Sequence, residues 1–445
     1  MSLITRLTTT KERAVSGGRE LAEAVGVWGT FLTLPIERVL VVDVAGFTIR
    51  PAYPFMALLI FVNARCIRQA GVTAAVGSGI LLSVVISAVT TGNARLSAGY
   101  TLWATFVVLF FLSSVGRLRG RRDLVYVWAR AYVATAGLWG IFTIGQWIFS
   151  FWFPTLEYSS FGSFPRVHAL ALEPAFLAFY LVPPLILSFG TAQYHWTAAM
   201  LAAVVVSTSR SGLLGLAVGL VVLIVLVRGR EAWRIAVAAG AATLSVAVLL
   251  LASHGSYLGF SSSTGFEKPS SVLKDPASVA PRLHSWSDAW KVFVDNPIDG
   301  VGPGAFGAAL HDRGVALGIS EGDLKTTNLW FEILAEEGVL GAIALLAWVV
   351  VGLAALWRRL RVEALAPAVF AAAVASLAMF AFVQTWWVPC RWIVWILAYS
   401  IGFGYSVHVG RHPGQAAEVR STDGAPEPAL TSRHSVARGA HRGHG

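Results

Sequence analysis

The chain has 445 residues, of which 56% are hydrophobic and only 13% are charged, and its formal net charge is +10. Soluble domains carry about a quarter charged residues, so this composition and a mean hydropathy of +0.66 exclude an ordinary soluble protein. Apolar runs of about 17–25 residues, the length that crosses a bilayer, instead predict a polytopic helical membrane protein. No cleavable signal peptide is expected, because the polar start around Lys11 and Arg13 lacks a short apolar segment with a small-residue cleavage site.

Hydropathy predicts about twelve spans in an all-α transmembrane bundle. They lie near 22–41, 51–67, 73–91, 98–116, 124–150, 168–188, 195–209, 211–227, 235–253, 338–357, 365–384 and 391–408. The first run is interrupted by Pro35, Glu37 and Arg38. The predicted domains are thus an N-terminal segment 1–21, spans one to nine over 22–253, a large loop 254–337, spans ten to twelve over 338–408, and a tail 409–445.

Short basic loops fix the predicted orientation, because Lys and Arg are retained on the cytoplasmic side. Alternating spans put the basic loops at 65–68, 117–122, 228–234 and 358–361 on that side, with both termini. The tail is rich in Gly, Pro, Ser and Ala, which predicts disorder. The positive charge is then accounted for by contact with anionic headgroups, and no nucleic-acid partner is expected.

The sequence offers no metal or cofactor motif. There is no Walker motif, CxxC pair or HExxH, and GVGPG at 300–304 is no dinucleotide fingerprint because no buried strand precedes it. We therefore expect neither a metal nor a cofactor. Cys66 and Cys390 are predicted near opposite membrane faces, so no disulfide is expected.

The loop 254–337 is the long connection of the chain, and its predicted place is outside the cytoplasm. Connections of this length are usually functional or disordered, and SSSTGFEKPSSVLKDPAS predicts disorder. The next segment, PRLHSWSDAWKVFVDNP, predicts a helix that ends at Asn296-Pro297. Its apolar face comprises Trp286, Ala289, Trp290, Phe293 and Val294, with Asp288 and Lys291 pointing away. Such a helix lies at the membrane surface or, alternatively, only covers the bundle.

Three arginines occur at predicted outer ends of spans or in outer loops, against the positive-inside bias: Arg166, Arg210 and Arg282. Guanidinium binds phosphate oxygens in a bidentate fork and stays charged, so this outer positive field suits a diphosphate. Glu173 is predicted about two turns into the sixth span, at a depth where an ionisable group is by default functional. The alternative is that Glu173 only neutralises one of the arginines.

Five motifs follow in order along the chain, and together they carry a resemblance. They are Arg-x6-Glu-Pro (Arg166, Glu173, Pro174), Thr-Ser-Arg-Ser-Gly (208–212), Arg-x3-Trp (Arg282, Trp286), Asn-Pro-x2-Gly-x-Gly-x-Gly (296–304) and x-Asn-x9-Gly-x2-Gly (Asn328, Gly338, Gly341). From about 160 to 345 the chain resembles the O-antigen ligase and polymerase superfamily, multi-span glycosyltransferases of the GT-C type. The resemblance implies transfer of sugar chains from an undecaprenyl-diphosphate donor to an acceptor, outside the cytoplasm and without a metal.

One position departs from the family pattern. The ligases usually carry a His before the Asn, taken to participate at the acceptor, and this chain has Thr327. A threonine hydroxyl is no general base near neutral pH, so we interpret Thr327 first as a helix cap, with Thr326 and Asn328 as alternatives. Either the chain lies on the polymerase side of the superfamily, where arginines carry more of the chemistry, or another outer group is the base. The candidates are Glu332, Glu173, His311 and His168.

The sequence therefore predicts a protein of the bacterial cytoplasmic membrane that joins lipid-linked saccharides at its outer face. Its partners would be a polyprenyl-diphosphate-linked saccharide donor, a saccharide or lipid acceptor and the bilayer. The predicted catalytic residues are Arg210, Arg282 and Glu332, and the predicted substrate-binding residues are Arg166, Glu173, Thr327 and Asn328. Two alternatives remain: a transporter or flippase for a lipid-linked or anionic solute, and a catalytically degenerate scaffold of an envelope assembly complex.

Overall fold

The structure, a computed structural model, describes residues 3–227, 276–311 and 326–404, with positions 237 and 240. Within these ranges, the description leaves out residues 38, 41, 45–46, 92–93, 154–158, 162–163, 172 and 384–387. The predicted ninth span, the serine-rich part of the long loop and the tail after 409 therefore lie outside the described residues.

Helices make up most of the described chain and follow its apolar runs. They are α1 (Leu3–Thr33), α2 (Ala52–Asn63), α3 (Val72–Thr90), α4 (Ala94–Leu118), α5 (Arg122–Ser150), α6 (Pro174–Gly190), α7 (Tyr194–Val206), α8 (Arg210–Leu226), α9 (Pro276–Asp295), α10 (Phe306–His311), α11 (Leu329–Trp357), α12 (Ala366–Phe380) and α13 (Cys390–Gly404). A 3-10 helix, Ala64–Gln69, extends α2. Two antiparallel hairpins interrupt this pattern, β1 (Val42–Val44) with β2 (Phe47–Ile49) and β3 (Ser159–Phe161) with β4 (Phe164–Arg166).

The helical membrane architecture is confirmed in coarse terms. Among the described residues, four helical stretches are long and apolar enough to cross a membrane: Val72–Thr90, Ser97–Leu118, Arg122–Ser150 and Leu329–Trp357. Shorter apolar helices accompany them, namely α6, α7, α8, α12 and α13. The count of about twelve spans and the placement of the long loop stay predictions.

Proline explains two of the differences between the predicted spans and the helices. Over the predicted span 22–41, α1 ends at Thr33 because Pro35 has no backbone N–H to continue the helix. Over 168–188, α6 begins only at Pro174, which suits a helix start.

Glycines fix the relative direction of α6 and α8. A Cβ added at Gly212 would overlap Ala178, and one at Gly219 would overlap Ile186, so the two helices approach closely at both places. The absence of a side chain permits this approach. Because the pairs follow the same order in both helices, α6 and α8 run in parallel and begin at the same end of the bundle.

Arginines gather at one end of the bundle, which we call the basic end. Arg117 forms an ion pair with Glu23 at 2.7 Å. Arg119 donates hydrogen bonds to the carbonyls of Gln69, at 2.7 Å, and Phe403, at 3.1 Å, and Arg122 pairs with Glu363. Side chains from the predicted basic loop 117–122 thus reach the neighbourhoods of the predicted basic loops 65–68 and 358–361, as a shared cytoplasmic face requires.

The other end of the bundle carries the motifs, and we call it the loop end. Here Thr91, at the end of α3, hydrogen-bonds the carbonyl of Val301. A Cβ at Gly304 would overlap the ring of Tyr100 in α4. The segment 296–304 is therefore seated on the corner between α3 and α4. Since α13 ends at the basic end, its start at Cys390 lies towards the loop end.

Candidate functional site

Arg210 is the first residue of α8 and is exposed. Thr208 takes a left-handed conformation, with φ 49°. Ser209 then caps the helix, its hydroxyl accepting a hydrogen bond from the backbone N–H of Gly212 at 3.2 Å. The motif Thr-Ser-Arg-Ser-Gly therefore places a guanidinium at the positive end of a helix, where unpaired N–H groups and the dipole favour anions.

Glu173 precedes α6 and is exposed, with extended backbone (φ −146°, ψ 159°). The prediction that it lies about two turns inside a span is wrong. Pro174 disfavours helical backbone in the residue before it, which keeps Glu173 outside the helix. Arg166 ends β4, in the hairpin upstream of this helix.

The helix α9 ends at Asp295, directly before Asn296-Pro297, as predicted. Arg282 lies one turn before Trp286, so the two positions share a face of the helix. The ring of Trp286 stacks on Phe331, with centroids 5.9 Å apart, and lies 6.4 Å from Phe382. The Arg-x3-Trp motif is thus anchored through its tryptophan to the start of α11 and to the residues that follow α12.

The predicted apolar face of α9 is divided in the structure. Ala289 and Val292 are buried against a small cluster that includes Phe306, so this side covers the bundle. Trp290 and Val294 are 50% and 55% exposed, which leaves a second apolar side uncovered. On the polar side, the ammonium of Lys291 lies 3.0 Å from a carboxylate oxygen of Asp288.

Thr327 contacts the tryptophan of the Arg-x3-Trp motif. Its hydroxyl oxygen accepts a hydrogen bond from the indole N–H of Trp286 at 3.0 Å. The cap of α11 is Asn328, whose side-chain oxygen accepts from the N–H groups of Trp330 at 2.9 Å and Phe331 at 3.4 Å. Of the three candidate caps, Asn328 is the correct one, and the interpretation of Thr327 as the cap is wrong because its hydroxyl is directed to Trp286.

The helix α11 is broken at Gly338, which has φ 66° and ψ −158°. In a continuous helix the N–H groups of Val339 and Leu340 would donate to the carbonyls of Ala335 and Glu336, four residues earlier. The break separates these donors from these acceptors. Unpaired backbone groups are costly in a membrane protein, so each needs another partner.

The segment after α9 supplies all of these partners. Four hydrogen bonds join the two: Val339 N–H to Pro297 O at 2.9 Å, Leu340 N–H to Ile298 O at 3.2 Å, Val301 N–H to Ala335 O at 3.0 Å, and Gly302 N–H to Glu336 O at 2.9 Å. The segment 297–302 therefore inserts into the break. The motifs Asn-Pro-x2-Gly-x-Gly-x-Gly and Gly-x2-Gly form one structural unit.

Glycine is required in this segment by both conformation and space. Gly300, Gly302 and Gly304 have φ of 71°, 102° and 75°, a region that favours glycine. A Cβ at Gly300 would overlap the backbone of Glu336. The carboxylate of Glu336 accepts a hydrogen bond from the N–H of Gly304 at 2.8 Å, which ties the end of the segment to α11.

Buried charges lie next to this unit. Glu332 and Arg391 are each 1% exposed. Glu37 forms an ion pair with Arg50 at 2.9 Å. Sequence reasoning missed Arg50 and Arg391, although both stand at predicted outer ends of spans, the same signal that singled out Arg166, Arg210 and Arg282.

The two candidate histidines differ in exposure. His168 is buried, and its ring Nδ1 lies 2.5 Å from the carbonyl of Ala171. His311 ends α10 and is exposed. His168 is thus bonded within its own turn, whereas His311 is accessible from outside.

Comparison with known proteins gives a family match over part of the chain. No curated protein matches the chain. A family model described as O-antigen ligase matches residues 196–346, a range that includes Arg210, Arg282, Thr327, Asn328 and Glu332. Such a domain indicates a function of the O-antigen ligase or polymerase type, with glycosyltransferase-like activity and lipid-linked saccharides as substrates. Residues 196–346 therefore match the O-antigen ligase family, in agreement with the resemblance to the O-antigen ligase and polymerase superfamily that the sequence predicted.

Proposed function

We propose that the protein transfers saccharide chains from a polyprenyl-diphosphate-linked donor to a saccharide or lipid acceptor, at the outer face of the bacterial cytoplasmic membrane. The family match supports a ligase or polymerase type of function. The identity of the donor and the membrane face at which transfer occurs are what we propose in addition. No metal is needed, because a lipid diphosphate is already a good leaving group and positioning with charge stabilisation suffices.

The donor diphosphate would lie between Arg210 and Arg282, with Arg166 assisting. Arg210 is suited to this role because it is exposed and stands at the positive end of α8. Its guanidinium would bind two phosphate oxygens at once. As the sugar–phosphate bond breaks, negative charge grows on the leaving diphosphate, and two fixed guanidinium groups would stabilise that charge.

The acceptor would lie beside Thr327 and Asn328. The observation that carries the proposal is the hydrogen bond from Trp286 to Thr327 at 3.0 Å. It joins the helix that bears Arg282 to the segment where the ligases bind their acceptor, so donor and acceptor groups would share one site. The hydroxyl oxygen of Thr327 already accepts a hydrogen bond from Trp286. A threonine hydroxyl is also too weak a base to take the proton of the acceptor.

The proton of the acceptor hydroxyl would pass to another group near the loop end. The candidates remain Glu332, Glu173, His311 and His168. They differ in access, because Glu173 and His311 are exposed whereas Glu332 and His168 are buried. A general base must come within hydrogen-bond reach of the proton it takes, which favours the exposed pair.

The test uses purified full-length protein in liposomes with a polyprenyl-diphosphate-linked oligosaccharide and no nucleotide sugar. Wild type should lengthen the saccharide and release polyprenyl diphosphate. Arg210→Ala and Arg282→Ala should each lower the rate at least a hundredfold, or about 2.7 kcal/mol of transition-state stabilisation. Arg210→Lys should not restore it, because lysine lacks the planar fork.

A matched control is Arg121→Ala, which removes a guanidinium whose side chain is 47% exposed at the basic end. It should leave the rate unchanged. Full activity in both Arg210→Ala and Arg282→Ala would eliminate the clamp. Wild-type protein that inserts normally yet forms no product would count against glycosyl transfer altogether.

A transporter is the rival that a specific observation favours, because a broken helix is typical of transporter binding sites. Here, however, the backbone groups at the break of α11 are paired with the segment 297–302, so they are not available to a solute. Uptake or flipping of the lipid-linked donor without saccharide transfer would favour the transporter. If the protein shows neither transfer nor transport while an envelope complex still assembles normally, the scaffold would be favoured.

A further inference from the structure

The turn between the two charged residues of the Arg-x6-Glu-Pro motif is strained. Ala169 has φ 53°, a left-handed conformation that is costly for a residue with a side chain. The N–H of Ala171 donates to the carbonyl of His168 at 2.9 Å, which closes the turn around this residue. Backbone strain of this kind persists only where the surrounding structure imposes it, and it is frequent at functional sites. Contacts from other segments must therefore hold the turn.

These contacts come from α5 and from the residues that follow α1. The N–H of Ala169 donates to the side-chain oxygen of Gln146 in α5 at 2.7 Å. The carbonyl of Leu170 accepts a hydrogen bond from the backbone N–H of Glu37 at 2.9 Å. Ala169 is only 2% exposed, and a buried backbone group that loses its partner is costly. The strained turn is thus held on both sides of its centre.

The chain leading to Glu37 is anchored because Pro35 ends α1. Pro35 has no N–H, so the carbonyl of Phe31 lacks the donor that a continuing helix would supply. The hydroxyl of Tyr180 in α6 donates to this carbonyl at 2.7 Å. The indole N–H of Trp139 in α5 donates to the carbonyl of the next residue at 2.8 Å. The end of α1 is therefore tied to α5 and α6 directly ahead of Glu37.

The side chain of Glu37 belongs to a buried ion pair. Its Oε1 lies 2.9 Å from Nη1 of Arg50, and the side chains of Arg50 and Glu37 are 19% and 4% exposed. Arg50 directly follows β2, and its carbonyl accepts from the N–H of Tyr53 in the first turn of α2 at 3.0 Å. A carboxylate buried to this extent depends on its partner, because loss of the partner leaves an uncompensated charge. The pair thus joins the end of α1 to the start of α2.

We propose that this ion pair of Glu37 with Arg50, which we call the brace, positions Arg166 and Glu173, so that both members of the brace are positioning residues. The proposal rests on the proposed function for what is positioned, since Arg166 is assigned to the donor diphosphate and Glu173 is a candidate base. A Glu37 carboxylate without Arg50 moves towards water, and its backbone N–H then no longer holds Leu170. The strained turn relaxes, and the motif residues on either side of it lose their arrangement.

The experiment compares wild type with Arg50→Gln, each as the full-length protein purified in detergent. Hydrogen–deuterium exchange of the backbone and the transfer rate per folded molecule are both measured. Exchange reports local opening, so the amides of residues 167–171 should exchange at least tenfold faster in Arg50→Gln. Transfer should fall at least tenfold. Arg50→Lys keeps the positive charge and should come within a few-fold of wild type in both readings.

The matched control is Arg117→Gln, which breaks an ion pair of similar burial at the basic end. Arg117 lies 2.7 Å from Glu23, and the two side chains are 16% and 8% exposed. This variant should lower the midpoint of thermal unfolding without changing exchange over 167–171 or the transfer rate per folded molecule. Glu37→Gln keeps the shape of the side chain and is the milder brace variant if Arg50→Gln does not fold. It should also raise exchange over 167–171.

Wild-type exchange over 167–171 in folded Arg50→Gln and Glu37→Gln would overturn the brace. An equal rise after Arg117→Gln would overturn it too, because the effect would then be a general loss of stability. Faster exchange with an unchanged transfer rate would show that the turn does not position the site. The exchange measurement needs no saccharide, so it tests the brace even if wild type transfers nothing. An inactive wild type with the expected exchange would contradict the proposed function and leave the brace in place.

Discussion

At the residue scale, Thr327 shows how a departure from the family pattern keeps a structural role. Its hydroxyl is the acceptor for the indole of Trp286. The contact links the helix of Arg282 to the cap at Asn328, two motifs that are distant in the sequence. A hydroxyl can make this bond from threonine or serine, whereas an aliphatic side chain of the same shape cannot.

The prediction at Thr327 is that Thr327→Val lowers the free energy of unfolding by about 1–3 kcal/mol, because the partly buried indole N–H of Trp286 loses its acceptor. Transfer should fall as well, since α9 is no longer tied at this point. Thr327→Ser keeps the oxygen and should stay close to wild type. Thermal unfolding in detergent and a transfer assay normalised to folded protein give both readings. Equal behaviour of the valine and serine variants would show that the bond is unimportant.

Charge bias in the sequence finds some of the important residues and misses others. Arg210 was predicted because it stands in a short polar turn between two apolar runs, and it is exposed at a helix start. Arg391 stands alone in TWWVPCRW, where nothing local distinguishes a snorkelling arginine from a buried one. Its guanidinium lies against the rings of Phe176 and Phe179, which come from another helix. Only the tertiary structure brings these together.

At the element scale, the break in α11 is the feature that organises the loop end. Local rules predict its parts: Asn328 is a favoured cap, and glycines favour turns. They do not predict that Val301 and Gly302 take over the carbonyls that the break exposes. That exchange depends on a segment from another part of the chain, so hydropathy, which starts the predicted span at 338, gives no sign of a break inside a longer helix.

Gly338→Ala should destabilise the protein by at least about 1–2 kcal/mol, the cost of left-handed backbone for a residue with a side chain. The new methyl group would in addition overlap the carbonyl of Ile298. The midpoint of thermal unfolding and the yield of folded protein report the effect. Gly145→Ala is the matched control, because that helical position of α5 has no atom within 4 Å of the added carbon. A Gly338→Ala protein as stable as the control would mean that the break does not need glycine.

At the scale of the whole molecule, composition and hydropathy were enough to predict a helical membrane bundle. They also predicted many helix bounds to within a few residues. Errors arose where Pro35 and Pro174 overrode the apolar run, and where α1 and α11 begin in more polar sequence well before the predicted spans. The two ends of the bundle could be anticipated only from the basic loops. The structure adds contacts within the basic end, such as Arg122 with Glu363 and Arg119 with Phe403.

The predicted orientation can be tested by asking on which side of the membrane each end of the bundle lies. Since Lys and Arg are retained in the cytoplasm, reporters fused after Gly120, Gly229 or Arg361 should report the cytoplasm. A reporter near Ser270 should report the outside. The first and last of these fusions fall next to arginines of the basic end, so they should agree with each other whichever way the protein inserts.

Thiol labelling tests the same orientation on the intact chain. Cys66 and Cys390 are free and buried, so an impermeant thiol reagent should give little background in whole cells. Ser287→Cys, at an exposed position of α9, should react in intact cells, because the proposed site faces outwards. Arg121→Cys, at the basic end, should react only after the membrane is permeabilised. The reverse pattern would place the loop end, with Arg210 and Thr327, in the cytoplasm, where transfer from an externally presented lipid-linked donor is impossible.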